Sequence, residues 1–189
     1  MRWFRLICCG LAVVSSISYA QSTPKVNADS LVGKNFTDRV SAYVALRKSA
    51  QSKVNPQKPT NSADTLDSRD KLLTQELKAA RQGAKQGEMF TPEAVVLFRK
   101  LVASSFNSSD GAKVRASLRH AEPVSKFALK INEDYPSTVP VQSMPPSVLM
   151  NLPQLPKEVE YRIVGRDLIL LDVGTNLVVD IAPNVVPSS

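Results

Sequence analysis

Apolar residues recur at two different periods along this chain, and the change of period divides it. Between Val159 and Ile181 the period is two: Tyr161, Ile163, Leu168, Leu170, Val179 and Ile181 fall on one face of a predicted antiparallel meander. A two-residue loop at Gly165-Arg166, with glycine at the positive φ of a type II′ turn, sets Ile163 opposite Leu168 and Tyr161 opposite Leu170. A second tight turn at Gly174-Thr175, with Thr175 exposed, is expected to set Leu170 opposite Val179 and Leu168 opposite Ile181. On the other face Arg162, Ile169 and Asp180 would then form one row. Three strands alone are marginally stable, so the meander needs a helical layer.

Before the meander the period is helical. Phe36, Val40, Tyr43 and Val44 form a stripe that predicts a helix over 36–54, ended by Pro56 and Pro59. After a polar linker over 55–64, Asp64, Asp67 and Asp70 favour a second helix start. Its inward face is expected to run Leu66, Leu73, Leu77, Ala80 and Ala84, with Gly87 as C-cap. The small residues Ala79, Ala80, Gly83, Ala84 and Gly87 read as tight helix packing. Thr91-Pro92-Glu93 has the chemistry of a helix N-terminus, and the apolar run Ala94 to Phe106 makes the third helix the central one. A short fourth helix over 112–120 points Val114 and Leu118 inward and carries His120 in its last turn, a structural position.

The alternation of Phe127, Leu129 and Ile131 predicts a fourth strand over 125–132, although a helix fits the same residues. Six prolines between Pro136 and Pro156, interrupted by Val148, Leu149, Leu152 and Leu155, read as an extended strap pinned to the core. A single helical turn is expected after Pro145-Pro146. The fold class is therefore α+β: about four N-terminal helices packed on a small C-terminal antiparallel β-meander.

Composition refines this reading at the N-terminus. Arg2 and Arg5, the apolar run Leu6 to Val14 and the small-x-small Ser18-Tyr19-Ala20 have the pattern of a signal peptide over 1–20, removed before Gln21. Residues 21–35 read as a disordered polar arm, and 36–189 as a single domain. Both cysteines, Cys8 and Cys9, would leave with the signal, so the product would be periplasmic or secreted, soluble and without disulfides. One histidine and no mature cysteine exclude thiol catalysis and two-histidine metal sites, and no catalytic, cofactor or metal residues are assigned. The precursor's net charge is +7, and residues 21–60 hold seven Lys or Arg against two Asp. That surplus suggests salt-sensitive attraction to an anionic envelope component. No segment of the mature chain is apolar for long enough to span a membrane.

Three blocks, ARQGAKQGEMFTPE, LPQLP and YRIVGRDLILLDVGTNLVVDI, together resemble a family of uncharacterised exported bacterial proteins. The resemblance implies a signal peptide and a soluble exported product, and it supplies no activity.

The polar residues that could form a site gather in the meander: Arg162, Arg166, Asp167, Asp172, Asn176 and Asp180. Arg162 and Asp180 could form a recognition pair on the sheet, with Arg166-Asp167 at a hairpin tip. The same residue types also cap turns and pair on surfaces. Asp172, Asn176 and Asp180 lack the spacing of a calcium loop. The leading functional expectation is a non-catalytic binding or structural protein contacting an envelope component or another exported protein. The alternative is a hydrolase using two carboxylates as acid and base. Nucleic acid is not an expected partner.

Overall fold

A computed structural model describes residues 27–54, 62–119, 129–136, 138 and 142–187. The expected signal peptide, the linker over 55–61, His120 and the first residues of the expected 125–132 strand lie outside the described residues. Helices α1 (Ala28–Val54), α2 (Ala63–Ala80), α3 (Pro92–Phe106) and α4 (Gly111–Arg119) precede β1 (Gln142–Ser143) and the single turn α5 (Pro146–Leu149). The strands β2 (Val159–Val164), β3 (Asp167–Asp172) and β4 (Val178–Ala182) close the chain. The sheet is antiparallel in the order β1-β2-β3-β4, an α+β arrangement.

Helix α1 starts earlier than its apolar stripe. The Asn27 side chain accepts the Asp29 N–H at 3.1 Å and its carbonyl accepts the Leu31 N–H, so a cap fixes the start where a disordered arm through residue 35 was expected. Val32 packs against the main core and Lys100 pairs with Asp29, which ties the added turns to α3. Basic residues of the 21–60 segment therefore project from a packed helix: Lys34 pairs with Asp38, Arg47 with Asp172 and Lys53 with Glu76.

Helix α2 stops at Ala80 and does not continue to Gly87. Its inward face runs through Leu73 and Leu77, while Leu66 is exposed. Of the ten residues after it, Gly87, Met89 and Phe90 give their N–H groups to Asp180 and not to a helical carbonyl. Helix α3 begins as its sequence dictates: the Thr91 hydroxyl accepts the Ala94 N–H, Pro92 occupies the first turn, and Ala94, Val95, Leu97, Phe98 and Val102 are buried.

The core between helices and sheet is organised by aromatic rings. Phe36 lies 5.3 Å from Phe90 and 4.8 Å from Phe98, and Phe98 lies 5.8 Å from Tyr161. These four residues join α1, the α2–α3 connection, α3 and β2. Edge-to-face and offset contacts of this kind add to the area each ring buries.

In the first hairpin Tyr161 pairs with Leu170 and Ile163 with Leu168, as the alternation predicts, and Gly165 has φ +62°. The second pairing departs from expectation by one position. Leu168 lies opposite Ala182, Ile169 opposite Ile181 and Leu170 opposite Asp180, with a bulge between Leu170 and Leu171. The connection is longer than a two-residue turn: the Asp172 N–H donates to Leu177 O, the Asn176 N–H donates to Asp172 O, and Asn176 has φ +56°. Thr175 is buried, not exposed. The slip moves Asp180 out of the row with Arg162 and Ile169 and places Ile181 there instead.

Both faces of the sheet are covered. Leu168, Leu170 and Val179 join the helix-side core, whereas Val164, Ile169, Leu171, Val178 and Ile181 form a second cluster with Tyr135, against which Leu129 and Ile131 pack. Residues 129–132 are not in a regular strand. Instead Asn132 N–H donates to Val178 O, Val178 N–H to Glu133 O and Tyr135 N–H to Asn176 O, so this segment closes the outer edge of β4. The strap contributes β1 and, after Pro145, the expected helical turn, with Val148 and Leu152 in the core.

Candidate functional site

The polar residues singled out in the sequence are distributed among four places. At the first hairpin Arg166 Nε donates to Val186 O at 3.0 Å and Asp167 Oδ1 accepts the Asn184 N–H at 2.8 Å, which pins the C-terminal segment to the sheet. Asn176 donates through Nδ2 to Tyr135 O at 2.9 Å and so fastens the segment along β4. Arg162 pairs with Glu160 at 2.6 Å beside the strap. Only Asp172 and Asp180 are fully buried and turned toward the helical layer.

Asp172 ends β3. Its Oδ1 accepts the Gly174 and Thr175 N–H groups at 3.1 and 3.0 Å, and its Oδ2 accepts Tyr43 OH at 2.8 Å and Arg47 Nε at 2.7 Å. A Cβ at Gly174 would stand 2.6 Å from Arg47 Nη2, so a larger residue there would displace the end of the guanidinium. Burial, and secondarily the Asp172 carboxylate, raise the Tyr43 hydroxyl well above the usual tyrosine range. Tyr43 is thereby kept as a neutral donor.

Asp180 is satisfied by backbone. Its Oδ1 accepts the Gly87 and Ile181 N–H groups at 2.9 and 2.8 Å, and its Oδ2 accepts those of Met89 and Phe90 at 2.7 and 2.8 Å. Residues 87–90 cannot continue α2 while donating three N–H groups to one carboxylate.

These two anchors meet at one groove. It lies between α1 and the connection that follows α2, has a volume of about 520 Å³, and is walled by Ala42, Leu46, Ala80, Gly83, Ala84 and Met89. Its polar lining is Arg39, Tyr43, Arg81 and Glu88. Asp172 fixes Tyr43 from behind, and Asp180 fixes the backbone that carries Glu88 and Met89. Arg81 is buried, with its guanidinium 5.2 Å from the centre of the Tyr43 ring, and its Nη2 donates to Glu88 Oε2 at 2.9 Å and to Val179 O at 3.0 Å. Its Nη1 is buried with no acceptor among the described residues. Arg39 Nη1 donates to Glu88 O at 2.8 Å and its Nε to Asn35 Oδ1 at 2.6 Å. Of the small residues assigned to tight helix packing, Ala80, Gly83 and Ala84 instead line this groove.

A second groove, of about 710 Å³, runs between the strap and β2. Leu149 and Met150 stand at it, Met150 being 87% exposed, and Tyr161 OH donates to Pro153 O across it. Its lining is mainly apolar, with Glu160 and Arg162 already paired to each other.

Sequence reasoning overlooked Tyr43, Arg47, Arg81 and Glu88 as a group. One signal for them was present: Arg47 continues the inward stripe Phe36, Val40, Tyr43 of α1, and a charged residue at an inward position needs a buried counter-charge. Among the described residues no cluster of three or more His, Cys, Asp or Glu side chains is placed to hold a metal, and no helix is long and apolar enough to cross a membrane. No family model matches this chain, and neither a curated protein nor a solved structure matches it.

Proposed function

We propose that this protein is a non-catalytic exported binding protein whose ligand occupies the groove between α1 and the connection after α2. The observation that carries the reading is the use of the two buried carboxylates: both fix walls of that one groove. A buried charge is tolerated when its hydrogen bonds are complete, and a complete buried network holds its neighbours in one geometry. Pre-set walls reduce the ordering cost of binding. The same bonds argue for binding over hydrolysis by a carboxylate pair, because each oxygen of Asp172 and Asp180 already accepts two donors. Export rests on the charged, apolar and small-x-small pattern of residues 1–20.

The test is a fragment screen read by thermal shift on the wild type and on Gly83→Phe. Gly83 lines the groove and a Cβ on it meets no atom within 4 Å, so the backbone there has room for a larger side chain placed to obstruct the groove. Fragments that stabilise the wild type and not the obstructed variant support the reading. A screen in which the two proteins respond alike overturns it. A substrate panel showing turnover that a single carboxylate variant abolishes replaces it with the hydrolase alternative.

A further inference from the structure

The groove's chemistry restricts its ligand further, granted that the groove is the binding site. Its apolar walls suit an aliphatic or aromatic body. Among the residues that line its polar end, Arg39 and Arg81 stand against one carboxylate, Glu88, with the exposed Glu93 carboxylate within electrostatic reach of Arg39. Glu88 is already engaged at both oxygens, accepting Arg81 Nη2 through Oε2 and the Lys85 N–H through Oε1 at 3.1 Å. Tyr43 OH is committed to Asp172.

What remains unmet at this end is donors. Arg81 directs Nη2 to both of its acceptors and leaves Nη1 buried without one. Arg39 uses Nε and Nη1 within the protein, and its side chain is exposed. A cationic ligand would face two guanidinium groups and a Glu88 carboxylate already accepting at both oxygens, and a sugar would find too few acceptors for its hydroxyl groups. The exposed Arg39 guanidinium, backed by the buried positive charge of Arg81, favours an oxyanion, with which arginine makes short charge-assisted hydrogen bonds. We infer that the groove binds an anionic amphiphile, an apolar body carrying one carboxylate or phosphate, with the head at Arg39 and Arg81 and the body along Ala42, Leu46 and Ala84.

The experiment titrates the purified protein with octanoate, octyl phosphate and the neutral match octanamide, following the amide NMR signals of Gly83, Ala84 and Met89. The expected result is that at least one anion binds about tenfold or more tightly than octanamide, as charge-assisted bonds to arginine require. Whichever of octanoate and octyl phosphate binds tighter identifies the head group. Arg39→Ala, on an exposed side chain, should lower the ratio of anion to octanamide affinity measured within that variant, with the spectrum of the core unchanged. Arg39→Lys should lower that ratio less. Equal binding of octanamide and both anions would overturn the anionic assignment and leave the groove as a site. Absence of shifts at Gly83, Ala84 and Met89 with all three probes would overturn both.

Discussion

Asp172 and Asp180 are both fully buried on adjacent strands, yet they are neutralised in different ways. Asp172 relies on two side chains from a distant helix, Tyr43 and Arg47, together with two amides of its own turn. Asp180 relies on four backbone N–H groups, three of them from the connection after α2. Side-chain donors can rotate or retreat toward solvent when an acceptor is altered. Backbone donors cannot, because the path of the chain fixes their direction. The same charge is therefore an adjustable tie in one place and a rigid keystone in the other.

The largest effect is expected at Asp180. Asp180→Asn turns an acceptor that receives two amides into an NH₂ donor, leaving two buried N–H groups unmet. At about 1–3 kcal/mol each, the loss should be roughly 2–6 kcal/mol by chemical denaturation. Gly83, Ala84 and Met89 amide signals should shift with it, since the groove wall would lose its anchor. A loss below that of Asp172→Asn would invert the comparison. Leu170→Ala provides the apolar scale on the same row of the sheet. Leu170 is fully buried in the helix-side core opposite Asp180, and truncation should cost about 2–5 kcal/mol.

How far this comparison could be read from sequence depends on where each partner is supplied. The first hairpin was legible because its register depends only on a two-residue loop and the alternation beside it. The helix-side core was legible for the same reason: Phe36, Phe98 and Leu77 declare themselves by period. The β3–β4 register was not, because a bulge and the left-handed Asn176 lengthen the turn, and neither leaves a hydrophobic signature. That slip hid Asp180's role, since a surface row with Arg162 was the natural expectation. The early end of α2 was hidden too, because helix propensity cannot register that a carboxylate about ninety residues away takes the Gly87, Met89 and Phe90 amides. Asp172 and Asp180 were nevertheless singled out by residue type. Their partners on α1 and after α2 were not.

A smaller effect is expected at Asp172. In Asp172→Asn the remaining carbonyl can still accept the Gly174 and Thr175 amides, and Tyr43 OH can turn to accept from the new NH₂ group. Arg47 loses its acceptor, but its side chain is 11% exposed and also reaches Gln51, so it can draw on solvent. The cost should be about 1–3 kcal/mol, that of one displaced charged donor. Its measured ratio to the Asp180→Asn loss is the direct measure of how much adjustability matters.

An effect of similar size at neutral pH, and the one with the most particular signature, belongs to Tyr43→Phe. Removing one hydrogen bond to a carboxylate should cost about 1.5–3 kcal/mol at pH 7. Burial and the Asp172 carboxylate hold the folded-state tyrosine above its ordinary value, so the unfolded chain releases this proton first as pH rises. A group whose folded pKa is raised contributes its full stability below the unfolded value, near 10, and loses it above. Wild-type stability should therefore fall above pH 10 by up to about 1.4 kcal/mol per pH unit from this residue alone. Tyr43→Phe lacks that titration, so the gap between variant and wild type should narrow from pH 10 and close within about two units. Tyr161, also raised by burial, titrates in both proteins and cancels from the difference. Asp180 has only amide partners, so the cost of Asp180→Asn should stay constant over the same interval. Urea titrations of the three proteins at half-unit steps from pH 8 to pH 11 measure both trends. Parallel curves for wild type and Tyr43→Phe would mean that Tyr43 is not the neutral donor holding Asp172, and the contrast between the two aspartates would lose its basis.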